Sequence, residues 1–192
     1  MAYPNTRPTR PTFLHAAIIC TTIFFTALIV LILWLSLRPH PPKFHIHDFI
    51  VTGSGQPNGL QNIRITFNVT VRNRNPRIGI YYDSFTGSVF YKDLLIGSTR
   101  LSDPFYQGPK HTGLIFHVLP LSPLTTNNQR WMEFADDLAK GMVGLRLELI
   151  STVRYKTKLW DTKRHRMHPK CDVMVGSDGL ILPSYKGRKC PT

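Results

Sequence analysis

Residues 63–73 read IRITFNVTVRN, and their alternation decides the fold class. Ile63, Ile65, Phe67, Val69 and Val71 are apolar; Arg64, Thr66, Asn68, Thr70 and Arg72 between them are polar. A period of two is that of a strand with one face in a core and one in water. Asn73-Arg74-Asn75-Pro76 then stops the strand, because Pro76 has no amide to give to a ladder and asparagine tolerates turn geometry.

Working outward, the same grammar recurs. Upstream, Phe44–Val51 is rich in β-branched and aromatic residues and reads as a first strand, and the glycine-rich 52–59 as a loop. Downstream, short strands are expected at Ile78–Asp83, Ser84–Tyr91, Leu94–Ser98 and Gly113–Leu119. Turn residues part them at intervals of about ten, the spacing of an antiparallel sandwich or barrel. Val143–Leu159 continues the pattern as a long strand or bent pair, and Lys170–Val175 as a last strand before a Gly176–Gly179 turn. One helix interrupts: in Asn127–Lys140, Trp131, Phe134, Ala135 and Leu138 share a face, and Gly141 follows as a C-cap. Its expected role is to cover an end or edge of the sheet.

Ahead of this domain lies a stretch of another kind. Phe13 to Leu37 contains no Lys, Arg, Asp or Glu over 25 residues. As a helix it would reach roughly 37 Å, more than the ~30 Å of a bilayer's hydrocarbon core. Its threonines can bond back to helix carbonyls, and Trp34 stands where an interfacial ring would. The run exceeds a signal-peptide core, and Leu37-Arg-Pro-His-Pro-Pro42 offers no small-x-small cleavage site, so an uncleaved anchor is expected. Residues 1–12, rich in proline and poor in large apolar groups, read as a disordered tail, and residues 38–43 as a stiff spacer. Arg7 and Arg10 before the span balance Arg38 and Lys43 after it, so charge bias does not fix its orientation.

Beyond the span, about 155 residues suffice for one ordinary domain. Two of the 24 basic residues and none of the 11 acidic ones precede its end, so this part carries 22 against 11, a net of +11. Such a charge favours anionic surfaces; without a nucleic-acid-binding motif on an anchored chain, nucleic acid is not an expected partner. Cys171 and Cys190, 19 positions apart, suggest a disulfide in an oxidising compartment or else two free buried thiols. Cys20 lies in the span, buried or open to acylation. Asn68-Val-Thr70 is an N-glycosylation acceptor triplet on the polar face of the strand. With the cysteine pair it favours a domain outside the cytosol.

No catalytic motif is present: no Gly-x-Ser-x-Gly, no phosphate loop, no His-Glu-x-x-His. His165, His168 and Cys171 match no closed zinc pattern, and neither a metal nor a cofactor is expected. Arg154, Lys156, Lys158, Lys163, Arg164, Arg166 and Lys170 form the densest basic run. It is either a solvated edge, where lysines block edge-to-edge pairing, or a docking face for a polyanion, acidic polysaccharide or anionic lipid, of which a domain outside the cell would meet the polysaccharide.

Several motifs together resemble a known family. Ile65 to Asp83, ITFNVTVRNRNPRIGIYYD, is similar to the hallmark of the plant harpin-induced and non-race-specific-disease-resistance-like family, which carries a late-embryogenesis-abundant group-two domain. Pro104-Phe-Tyr-Gln-Gly108, Val153-Arg-Tyr-Lys156, the basic run into Cys171-Asp172, and Cys190 follow in the family's order. The family usually shows Asn-Pro-Asn in its turn; here Asn73-Arg74-Asn75 stands there and the proline follows at Pro76. The resemblance implies a fibronectin-III-like sandwich, a cytosolic N-terminus, one plasma-membrane span and an apoplastic domain; the sandwich is expected over 44–176, with a tail at 177–192 tied by the cysteine pair. It implies non-enzymatic work in defence or stress signalling or membrane–wall adhesion. The expected partners are the membrane, an acidic wall polysaccharide or defence-signalling protein, and a second copy of the chain. Two other readings stay open: a non-specific membrane protector in desiccation, and a lipid-binding sandwich, which would need an apolar cavity.

Overall fold

A computed structural model describes residues 10–56, 59–121, 128–157 and 161–192. These fall into two compact units, Met1–Pro39 and His40–Thr192. The first is a single helix, α1 (Arg10–Leu37), whose segment Phe13–Leu35 is apolar enough and long enough to cross a membrane. Every described side chain along that segment is exposed. Thr21, Thr22 and Thr26 donate their hydroxyls to carbonyls three or four residues back, so they enter an apolar medium already satisfied. Residues 1–9 of the expected tail lie outside the described residues.

The second unit is built from two antiparallel sheets. The first holds β1 (Lys43–Gln56), β2 (Gly59–Arg72), β6 (Thr112–Pro120) and β10 (Lys189–Cys190), in the order β10-β1-β2-β6. In the second, β3 (Gly79–Tyr91) and β7 (Met142–Lys156) are the centre. β4 (Leu94–Ser102) and β5 (Phe105–Gln107) share the free side of β3. β8 (His165–Met167) and β9 (Lys170–Gly176) share that of β7. One core joins the sheets: Phe44 of β1 meets Phe85 of β3 at 6.1 Å between ring centroids, Phe49 stacks on Phe67, and Tyr82 stacks on Phe105 at 4.5 Å. Burying each such ring is worth about 2–3 kcal/mol, which is why the alternating strands hold their register.

The alternation of Ile63–Val71 is realised, with all five apolar side chains buried. The described residues of the expected loop at 52–59 are strand instead, since β1 runs to Gln56 and β2 begins at Gly59, with 57 and 58 outside the described residues. The strands expected at 78–83 and 84–91 are one strand with a bulge at Asp83. α2 (Asn128–Ala139) matches the expected helix; it seats Phe134, fully buried, edge-on against Tyr91, and Gly141 follows at φ +85°.

Residues 177–192 are no appended tail. Leu180 and Ile181 bridge Ile50 of one sheet and Val175 of the other, and Lys189–Cys190 pairs with β1. Gly179 permits this: it lies at φ +76°, its carbonyl accepts from the Val51 amide at 2.8 Å, and a Cβ there would stand 2.2 Å from the Val51 carbonyl.

Candidate functional site

The turn after β2 is the most heavily bonded polar feature. Asn73 is fully buried, and its Nδ2 donates to the carbonyls of Ile78 (2.9 Å) and Gly108 (3.0 Å). Its Oδ1 accepts from the Asn75 amide and from Asn75 Nδ2. Asn75, also buried, reaches the other way: it accepts from the His40 amide at 2.7 Å and donates to the His40 carbonyl at 2.8 Å. Beside them Gln107 takes the Tyr82 hydroxyl and donates to the carbonyls of Val71 and His111. Pro76 is exposed and lies four residues past the end of β2. Two motifs distant in sequence, 73–76 and 104–108, thus close one knot across both sheets. The same knot fastens the last residues of the expected spacer, which is docked from His40 onward.

The basic run is brought together on the outer face of the second sheet, but it is not a bare cationic surface. The bulge at Asp83 turns its carboxylate outward beneath two of the arginines. Arg154 grips it with Nε at 3.1 Å and Nη2 at 2.7 Å, and Arg164 adds Nε at 2.9 Å. Arg154 also lies over the Tyr81 ring, 4.9 Å from its centroid. Glu148 likewise holds His168 (2.8 Å) and Lys170 (3.3 Å). Of the seven basic residues, Lys156, Lys163 and Arg166 remain exposed with no carboxylate among the described residues, while Lys158 lies outside the described residues. Of the three dismissed metal ligands, His168 is thus bound to Glu148, and Cys171 is taken by the disulfide below.

The Arg154 guanidinium, against the opposing effect of partial burial, holds the Asp83 carboxyl below the usual carboxylate range, and Arg164 adds to this. A depressed folded value means the pair's stabilisation is complete above the unfolded value near 4 and is lost as pH falls through the lower, folded one. Asp83→Asn is expected to cost about 1–2 kcal/mol at neutral pH, mostly through Arg154 because Arg164 is exposed. It should also flatten the acid limb of a plot of melting temperature against pH below about 4. An acid limb identical to that of the natural protein would remove this role.

Asn68 lies on the outer face of the first sheet, paired with Asp48 of β1 and Phe116 of β6. It is half-buried, and its Oδ1 is enclosed without a hydrogen-bond partner. Cys171 and Cys190 form a disulfide, both sulfurs in the core, tying β9 of one sheet to β10 of the other. Phe13 and Leu37, the expected ends of the span, fall within α1, whose membrane-compatible segment ends at Leu35.

Residues 68–172 match the family described as late embryogenesis abundant protein. The chain belongs to this family. Its relatives include three proteins of Arabidopsis thaliana. NDR1/HIN1-like protein 2 is 34% identical over 80% of this chain and 62% of its own length, so the chain spans less than two thirds of that relative. Protein NDR1 is 34% identical over 84% of this chain and 75% of its own length. NDR1/HIN1-like protein 10 is 31% identical over 88% and 73%. Among solved structures, that of a putative late embryogenesis abundant protein is 11% identical with a TM-score of 0.39, covering 91% of this chain and 94% of that one. In this late-embryogenesis-abundant domain, sequence reasoning missed the acids that neutralise the basic run, Asp83 and Glu148, and the partners of the turn motif, His40 and Gln107. The only signal was that Gln107 stands in the 104–108 motif.

Proposed function

We propose that this chain is a single-pass plasma-membrane protein whose fibronectin-III-like sandwich lies outside the cytosol and acts without catalysis in plant defence or stress signalling, or in membrane–wall adhesion. The observation that carries the reading is the core disulfide Cys171–Cys190 in a domain that follows a membrane-length apolar helix. Such bonds persist in oxidising compartments and are rare in the cytosol. The acceptor triplet at Asn68, the one such triplet in the chain, is on an outward face and supports the same side. Membership of the family, with relatives named for NDR1 and HIN1, supports the defence and stress assignment.

In this reading the partner is an acidic wall polysaccharide or a signalling protein, met by the outer face that carries Lys156, Lys163 and Arg166. The test is binding of the full chain in nanodiscs to wall fractions and polygalacturonate. Saturable binding, weakened by Lys156→Glu/Lys163→Glu/Arg166→Glu, is the expected result. Binding that never saturates and ignores the substitutions would favour a non-specific desiccation protector instead.

A further inference from the structure

The strongest unneutralised charge in the domain is not in the basic run. It gathers at the end where the chain enters, from four segments. Lys43 and Arg72 are direct cross-strand partners at the start of β1 and the end of β2. Lys189 pairs with His45 one strand over. Arg74 stands exposed in the asparagine knot, and Lys110 is held there by its amide bond to the Asn75 carbonyl at 3.0 Å. No ion pair among the described residues involves any of these five. They press on one another: Arg74 above all, then partial burial, then Lys189 lower the Lys43 ammonium below the usual lysine range. Cations left without carboxylates at this close spacing are stabilised by an external anion, unlike Arg154 and Arg164, which have Asp83.

Which anion is decided by chain length. The asparagine knot docks His40, and two residues, Arg38 and Pro39, separate it from Leu37, at most about 10 Å of extended chain. The cluster is therefore tethered within reach of lipid headgroups, at an effective concentration of millimolar order or above, so weak contacts suffice. We propose that Lys43, Arg72, Arg74, Lys110 and Lys189 form a docking surface for the phosphates of anionic lipid headgroups in the membrane that α1 crosses. This rests on the anchor reading above. Docking would seat this end on the bilayer and present the far end, around Lys92, some 40 Å away along β3.

The test uses the full chain in nanodiscs of phosphatidylcholine, with and without phosphatidylglycerol. Acetylation rates of individual lysines are read by mass spectrometry. Lys43, Lys110 and Lys189 should react about fivefold more slowly in the anionic discs, the factor one basic residue contributes at such a surface. Lys92 should not change. High salt should erase the difference, since the screening length falls to a few ångströms. Arg72→Glu/Arg74→Glu should restore fast acetylation of Lys43 and Lys110 while the Cys171–Cys190 bond stays intact. Equal rates in the two discs overturn the inference. So does slowing by added polygalacturonate without slowing by anionic lipid, which would make the surface a polysaccharide site. Loss of the chain from membranes on alkaline extraction would instead sink the anchor reading itself.

Discussion

Alanine at Asn73 is expected to lower the unfolding free energy by about 3 kcal/mol or more, because it strips four hydrogen bonds from a fully buried knot. The Ile78 carbonyl and the Asn75 amide would be left enclosed without partners, each such group costing about 1–3 kcal/mol, while the Gly108 carbonyl keeps the His111 amide. For a domain of this size the melting temperature should fall by roughly 6–12 °C. Asn73→Asp should be no better: it keeps the acceptor for Asn75 but sets a carboxylate against two carbonyls. By contrast Arg74→Ala, on an exposed neighbour in the same turn, should change stability by less than about 0.5 kcal/mol. A melting temperature unchanged in Asn73→Ala would show that the knot does not organise this end of the domain. The turn thus tolerates arginine where the family usually has proline, since the two asparagine side chains, and not the residue between them, make the bonds.

Loss of the disulfide is the other large effect. Cys171→Ala/Cys190→Ala is expected to cost about 2–5 kcal/mol, within which the chain-entropy estimate for a loop of this size, about 3 kcal/mol, falls. The structural reason is that β10 has two residues and pairs with β1 alone, so little else holds that edge of the first sheet to the second. The amide bond from Lys170 to the Pro191 carbonyl at 2.8 Å would be released with it. Thermal melts in detergent with and without reductant check this: the natural chain should lose roughly 5–15 °C on reduction and the double variant should not respond. Peptide mapping without reduction should link the two cysteine peptides. Both cysteines alkylated without prior reduction would contradict the bond.

Much of the fold was legible because burial writes a period of two into the strands, and Ile63–Val71 is the plainest case. The failures have physical causes. β3 reads as two strands because the bulge at Asp83 shifts the alternation from Tyr82 to Phe85, and a period that slips by one looks like a break. β5, β8 and β10 have two or three residues, too few to show any period. The glycine-rich end of the first hairpin lacks the side chains that mark a strand, yet its backbone keeps its ladder. Of the site, the asparagine turn and the cysteine pair could be named from sequence. The meaning of the basic run could not, since its acids come from 71 positions upstream in the case of Arg154 and Asp83. The cluster at the chain's entry was invisible for the same reason: its residues are scattered in sequence, Lys43, Arg72 and Lys189 meeting through strand register and Lys110 joining through its amide bond to Asn75.

Whether the β-domain stands outside the cytosol can be read most directly by adding an impermeant protease to intact plant protoplasts expressing the full chain with a C-terminal tag. Removal of the tag and domain, leaving a membrane-bound N-terminal fragment, is the expected result. Full protection until the cells are permeabilised would contradict it.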